Sequence, residues 1–164
     1  MTRIRGPEVV APGLLTFTPV PKRILVPLDL SPEAESVLPV VADAARGSGA
    51  TVRFIHVAPV PESVEGVDGH VIAFADQETA RLEAEGTDYL RTAARLAGIA
   101  ADAVVRFGEP AREIVREAET FGADLIVLAT RHGGPLSRLI LGSTSEQICR
   151  RTHVPVLVYR PGAQ

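Results

Sequence analysis

Regular patterning begins at Arg23–Leu28 (RILVPL), a nearly continuous apolar run of the kind shown by strands covered on both faces. Asp29 ends it, and Ser31-Pro32-Glu33 reads as a helix start. Ser31 is placed to cap, Pro32 suits the first helical position, and Glu33 suits the positive end of the helix dipole. The spacing predicts one helix from there to about Arg46, kinked at Pro39 and stopped by Gly47 and Gly49. Thr51–Val57 (TVRFIHV) reads as a second strand, closed by Pro59 and Pro61, and a loop with Gly66 and Gly69 follows. A long helix is expected over about 76–96, ended by Gly98, then a strand over 103–107. Glu109-Pro110 opens a helix in which Ala111, Ile114, Val115, Ala118 and Phe121 form one apolar face, with Gly122 as its stop. Asp124–Ala129 (DLIVLA) is a further buried strand. A glycine-bearing loop over 130–142, a helix over about 143–152 and a last strand over Val154–Tyr159 complete the pattern.

Strands alternating with helices five times imply a parallel sheet with right-handed crossovers and helices on both faces. Ligands of such sheets sit at the carboxyl ends of the strands, where the strand order reverses. Attention therefore falls on the residues after the first, second and fourth strands. Residues 1–21 do not fit the pattern. Pro7, Pro12, Pro19 and Pro21 exclude a regular helix, so the segment is expected to be an extended arm preceding a domain over 22–162. Val9, Val10, Leu14, Leu15 and Phe17 give the arm an apolar strip suited to docking, with a plain tail as the alternative.

Composition narrows the function classes. The 164 residues hold 17 Lys and Arg against 20 Asp and Glu, a formal charge of -3, which lacks the basic excess of a nucleic-acid or anionic-membrane binder. Aromatics make up 4% with no Trp, too few for platforms that stack single-stranded bases. No apolar run reaches the length of a membrane span. One cysteine, Cys149, excludes an internal disulfide, and its mid-helix position predicts a small buried filler. The N-terminal stretch is not read as a signal peptide, and a cytoplasmic protein is expected.

Gly142-Ser143-Thr144-Ser145, opening the last helix, carries the clearest chemistry. A helix start exposes amide donors and partial positive charge, Gly142 lets a ligand approach the backbone, and the hydroxyls add donors, which together suit a phosphate. Ser143-x-x-Glu146 is equally a capping box that requires no ligand. Gly133-Gly134 can turn amides inward as an anion nest or simply make a turn, and Arg131 and Arg138 are available to balance phosphate charge. Asp29 stands where a carboxylate can accept from a ribose, or cap the turn that follows. His56, between Ile55 and Val57, reads as a satisfied core or edge histidine. Neither a G-x-x-x-x-G-K-[ST] nor a G-x-G-x-x-G sequence is present, and no nucleophile–base pair is evident.

Several of these segments, in this order, resemble one family. They are Ile24-Leu25-Val26-Pro27-Leu28-Asp29-Leu30-Ser31-Pro32, the strand ending His56-Val57, Gly108-Glu109-Pro110, and Leu136–Thr144 followed by Val154-Pro155-Val156-Leu157-Val158. The chain resembles the universal stress proteins over about 22–160. The resemblance implies an adenine nucleotide alpha hydrolase-like α/β fold with a five-stranded parallel sheet of order 3-2-1-4-5. It also implies a homodimer, often paired through the last strand, Val154–Arg160. One branch of the family binds ATP through a loop of form G-x2-G-x9-G-[ST]. Gly142 and Ser143 match its last two positions, while Ala129 and His132 stand where the pattern has glycine, and Gly133 falls one place late. Either Gly133-Gly134 reshapes the loop or the His132 ring itself donates to phosphate. The resemblance places Asp29, with Pro27 beside it, on the ribose or adenine side, and the backbone of Val57 against adenine. The cofactor-site residues expected are thus Pro27, Asp29, Val57, Ala129, Thr130, His132, Gly133, Gly142, Ser143, Thr144 and Ser145. Their expected ligand is ATP or another adenine nucleotide, with Mg2+ where phosphates require it, bound for regulation and not for turnover. The alternative is a dimeric interaction module of the same fold that binds no nucleotide.

Overall fold

The computed structural model describes residues 20–62, 64–65, 71–73, 75–129 and 143–160. In chain order the elements are β1 (Arg23–Pro27), α1 (Pro32–Glu35), α2 (Leu38–Ser48), β2 (Thr51–Ala58), β3 (Val64–Glu65), β4 (Val71–Ala73), α3 (Ala75–Ala97), β5 (Ala101–Phe107), α4 (Pro110–Phe121), β6 (Leu125–Ala129), α5 (Ser143–Arg151) and β7 (Val156–Tyr159). Five of the strands form one parallel sheet in the order β5-β2-β1-β6-β7. Numbered along the chain among themselves, these are strands 3-2-1-4-5, the expected order. The sequence moves outward from β1 in one direction, then returns to build outward from β1 in the other, so the reversal lies between β1 and β6.

The period-2 alternation within each strand sends side chains to two cores. Ile24, Val26, Val52 and Phe54 pack against Leu38, Val41 and Ala45 of α2 and Leu90 and Ala93 of α3. Leu25, Ile55, Ile126 and Leu128 pack on the opposite face against Ala111, Ile114, Ala118 and Phe121 of α4 and Ile148 of α5. The central strands are buried on both sides, which is why they read as unbroken apolar runs.

Three expectations are corrected. Residues 32–48 are not one helix kinked at Pro39. Helix α1 ends at Glu35, Ser36 and Val37 interrupt it, and Pro39 lies in the first turn of α2. There a missing amide costs nothing, whereas mid-helix the ring would clash with the preceding turn. Helix α2 then runs through Gly47, and Gly49, with φ 70, ends it. The segment read as a loop after β2 contains a short antiparallel pair, β3 and β4. Cys149 is exposed, because α5 is amphipathic and its inward position is taken by the neighbouring Ile148, which is fully buried. Residues 1–19, most of the expected arm, lie outside the described residues.

Candidate functional site

The carboxyl end of β1 is where the chain leaves the sheet. Leu28 continues the ladder one residue beyond the strand, donating its amide to the Ile55 carbonyl at 2.9 Å. The Leu28 carbonyl is met by His56 Nδ1 at 2.9 Å. A carbonyl only accepts, so the proton lies on Nδ1. Asp29 Oδ1 accepts from the Ser31 amide at 3.2 Å and from its hydroxyl, and Ser31 Oγ accepts in turn from the Ala34 amide at 3.1 Å, capping α1. Between them Leu30 takes φ 64, a left-handed conformation that costs a leucine about 1 kcal/mol.

Behind this turn stands Tyr89 of α3. Its hydroxyl oxygen is buried without a hydrogen bond of standard geometry, and it faces the Glu35 and Asp29 carboxylates and the Leu30 amide. Burial first, and then the two negative charges, push the phenol's pKa up.

The chain around Asp29 forms one wall of a cleft of about 240 Å³. Pro27, Asp29, Val57, Ala129, Thr144 and Ser145, all singled out from the sequence, line it together with Leu28, Ala34, Ile55, His56, Pro110, Ile114, Leu128 and Ile148. The helices after β1 and β6 leave the sheet on opposite faces, and the gap between them is this cleft. Ser143 opens α5 but is exposed and is not among the lining residues. Thr130, His132, Gly133 and Gly142 lie outside the described residues, as do Arg131, Gly134 and Arg138.

Helices α4 and α5 both start at this end of the sheet, and their first turns differ. Helix α4 is closed by its own N-cap: the Glu109 carboxylate accepts from the Ala111 amide at 3.1 Å, the Arg112 amide at 2.9 Å and Arg151 Nη1 at 2.9 Å. Desolvation opposes that charge, but the two amides and Arg151 outweigh it and hold the carboxyl below the usual carboxylate range. Helix α5 instead presents Thr144 and Ser145 to the cleft. The wall between the helices is apolar, from Ile55, Ile114, Leu128 and Ile148. An apolar wall with a carboxylate on one rim and hydroxyls at a helix start on the other suits a nucleoside carrying phosphates.

The universal stress protein family model matches residues 21–160. The chain belongs to the universal stress protein family. A universal stress protein of Thermus aquaticus is 32% identical over 142 residues, covering 85% of this chain and 98% of that one. The solved structure of MJ0577, a universal stress protein of Methanocaldococcus jannaschii, superposes with a TM-score of 0.67 at 25% identity, covering 87% of this chain and 98% of that one. Two more distant universal stress protein structures share the fold. One, solved in complex with cAMP, is 19% identical with a TM-score of 0.61, covering 85% and 97% of the two chains. The other, from Archaeoglobus fulgidus and in complex with dAMP, is 22% identical with a TM-score of 0.57, covering 84% and 96%.

Within this universal stress protein domain, sequence reasoning missed the supports of the site. His56 is a satisfied histidine, as its sequence neighbours predict, but its partner is the last carbonyl before Asp29. Tyr89 lies in a helix whose stripe is only moderately apolar, and Leu30 gives no sign of a left-handed backbone. A buried ion cluster was also missed. Glu117, 2% exposed, accepts from Arg53 Nη1 at 2.9 Å and Arg106 Nε at 2.9 Å, and Arg53 also reaches Asp102 at 2.9 Å. The available signal was a glutamate within the apolar face of α4 and an arginine inside each of two strands.

Proposed function

We propose that this universal stress protein binds ATP or another adenine nucleotide in the cleft between β1 and β6, as a regulatory event in the stress response. The observation that carries the reading is convergence. Six residues named from sequence, drawn from β1, β2, β6 and α5 and the turn after β1, line a single cleft at the strand reversal. The relatives solved with cAMP and dAMP support an adenine nucleotide as the ligand class. In this reading Val57 and the apolar wall receive the base, Asp29 accepts from the ribose, and Thr144, Ser145 and the start of α5 receive phosphate. We assign Ala129, Thr130, His132, Gly133, Gly142 and Ser143 to the phosphates as well. Mg2+ would be held chiefly by those phosphates.

Asp29 is already engaged by Ser31, and we read binding as regulatory and hydrolysis as slow. The protein is further read as a cytoplasmic homodimer paired through Val154–Arg160. What supports the pairing is that β7 ends the sheet and that Leu157 on it is 43% exposed. Residues 22–162 are read as the domain and 1–21 as its arm.

The test is calorimetric titration of nucleotide-stripped protein with ATP, alongside Gly142→Val. Saturable heat in the wild type, lost in a folded Gly142→Val, is the expected outcome. No heat and no thermal shift at millimolar ATP would end the nucleotide reading and leave the interaction module. Sedimentation of Leu157→Lys tests the dimer, which should dissociate.

A further inference from the structure

We infer that His56 is a positioning residue that, with the strained Leu30 turn, sets the cleft's preference for ribonucleotides over their 2′-deoxy counterparts; the inference rests on the nucleotide reading above. Leu30 is 49% exposed and adopts φ 64, so burial of its side chain does not explain a conformation that leucine disfavours. Such strain persists only where the surroundings over-determine it. Here they do. On one side the chain is tied before Asp29, with the Leu28 amide on Ile55 and the Leu28 carbonyl on His56 Nδ1. On the other side it is tied after Leu30, with the Ser31 amide and hydroxyl on Asp29 Oδ1 and Ser31 Oγ capping α1. Tyr89 closes the turn from behind.

The His56 ring has room because Gly86 of α3 passes beside it: a Cβ there would meet the ring's Cδ2 at 3.3 Å and Val105 Cγ2 at 2.9 Å. Three elements thus fix the backbone on both sides of one carboxylate that lines the cleft. A fixed acceptor discriminates a ligand that carries a donor hydroxyl from one that lacks it, because its partner is missing in the second complex. A carboxylate on a loosened turn swings to water and loses that discrimination.

The experiment measures Kd for ATP and dATP on nucleotide-stripped full-length protein, wild type against His56→Leu, His56→Asn and Leu30→Gly, with Tm recorded for each. The wild type is expected to prefer ATP by about tenfold, the scale of one charge-assisted hydrogen bond at an open site. In His56→Leu the ratio should collapse toward one through loss of ATP affinity. In His56→Asn, whose amide can stand where Nδ1 stood, the preference should return. Leu30→Gly, which relieves the strain at an exposed position, should lower the ratio without lowering Tm, and it decides the matter if His56→Leu does not fold. A ratio unchanged in both folded His56→Leu and Leu30→Gly overturns the inference. So does a wild type that binds both nucleotides equally, which would spare the nucleotide reading. A wild type that binds neither sinks both.

Discussion

The two ends of the sheet each hold an aspartate, and the two are used in opposite ways. At the amino end, Asp124 precedes β6 and takes the Lys22 amide at 2.8 Å and the Arg23 amide at 3.0 Å, sealing β1 to β6. Arg23 donates to the Phe121 carbonyl at 3.1 Å, and the Arg53 guanidinium lies 4.1 Å from the Phe121 ring centroid while pairing with Asp102 and Glu117. At the carboxyl end, Asp29 holds its own turn and lines a hollow. Parallel strands present amide donors at their amino ends, where a carboxylate is absorbed by the backbone. At their carboxyl ends the chain diverges to opposite faces and leaves space. Position in the sheet, and not residue type, separates a seal from a site.

The largest expected effect breaks the sealed region. Glu117→Ala removes the buried partner shared by Arg53, which keeps Asp102, and Arg106, which is partly exposed, and should cost about 2–3 kcal/mol in urea denaturation, with ATP affinity of the remaining folded protein within about twofold of wild type. An unaltered urea midpoint would show that the cluster is not structural.

A matched pair of substitutions sharpens the contrast. Asp124→Ala should lower stability by about 1–3 kcal/mol and leave the ATP titration as it was. Asp29→Ala should weaken ATP binding by about tenfold or more while costing the fold about 1 kcal/mol or less. The reverse assignment of effects would abolish the distinction between the two ends.

Gly86→Ala probes the packing behind the site. The added Cβ would sit 2.9 Å from Val105 Cγ2, and overpacking of this kind costs about 1–3 kcal/mol, read as a lower Tm.

The smallest effect is electrostatic. The Glu109 pKa is lowered in the fold, so its contribution is present above the unfolded value near 4.5 and is lost as pH falls through the folded value. The stability gap between wild type and Glu109→Gln should be level from about pH 6 to 8 and close below about pH 4.5. A gap that widened in acid would contradict the cap.

The fold was legible because its signals are local and redundant. Continuous apolar runs such as Ile24–Leu28 and Leu125–Ala129 mark strands covered on two faces, Ser31 and Glu109 cap helices where predicted, and Gly122 with φ 65 ends α4. Pro39 misled because a proline signals that a regular helix cannot continue, but not whether it kinks or restarts. Cys149 misled because a helix position one residue from an apolar one points about 100° away.

The chain order of strands and helices, with the residues at the strand ends and at the last helix start, pointed by itself to Asp29, Val57, Ala129, Thr144 and Ser145 as one place, and the family resemblance added Pro27. Parallel topology forces strand ends together whatever their separation in sequence. Only the tertiary structure decided that Glu117 is a buried anchor, that His56 holds the carbonyl beside Asp29, and that Leu30 is strained. Those facts depend on side chains meeting across 11 to 64 positions of chain and on backbone torsions imposed by neighbours, neither of which is encoded in a local pattern of polar and apolar residues.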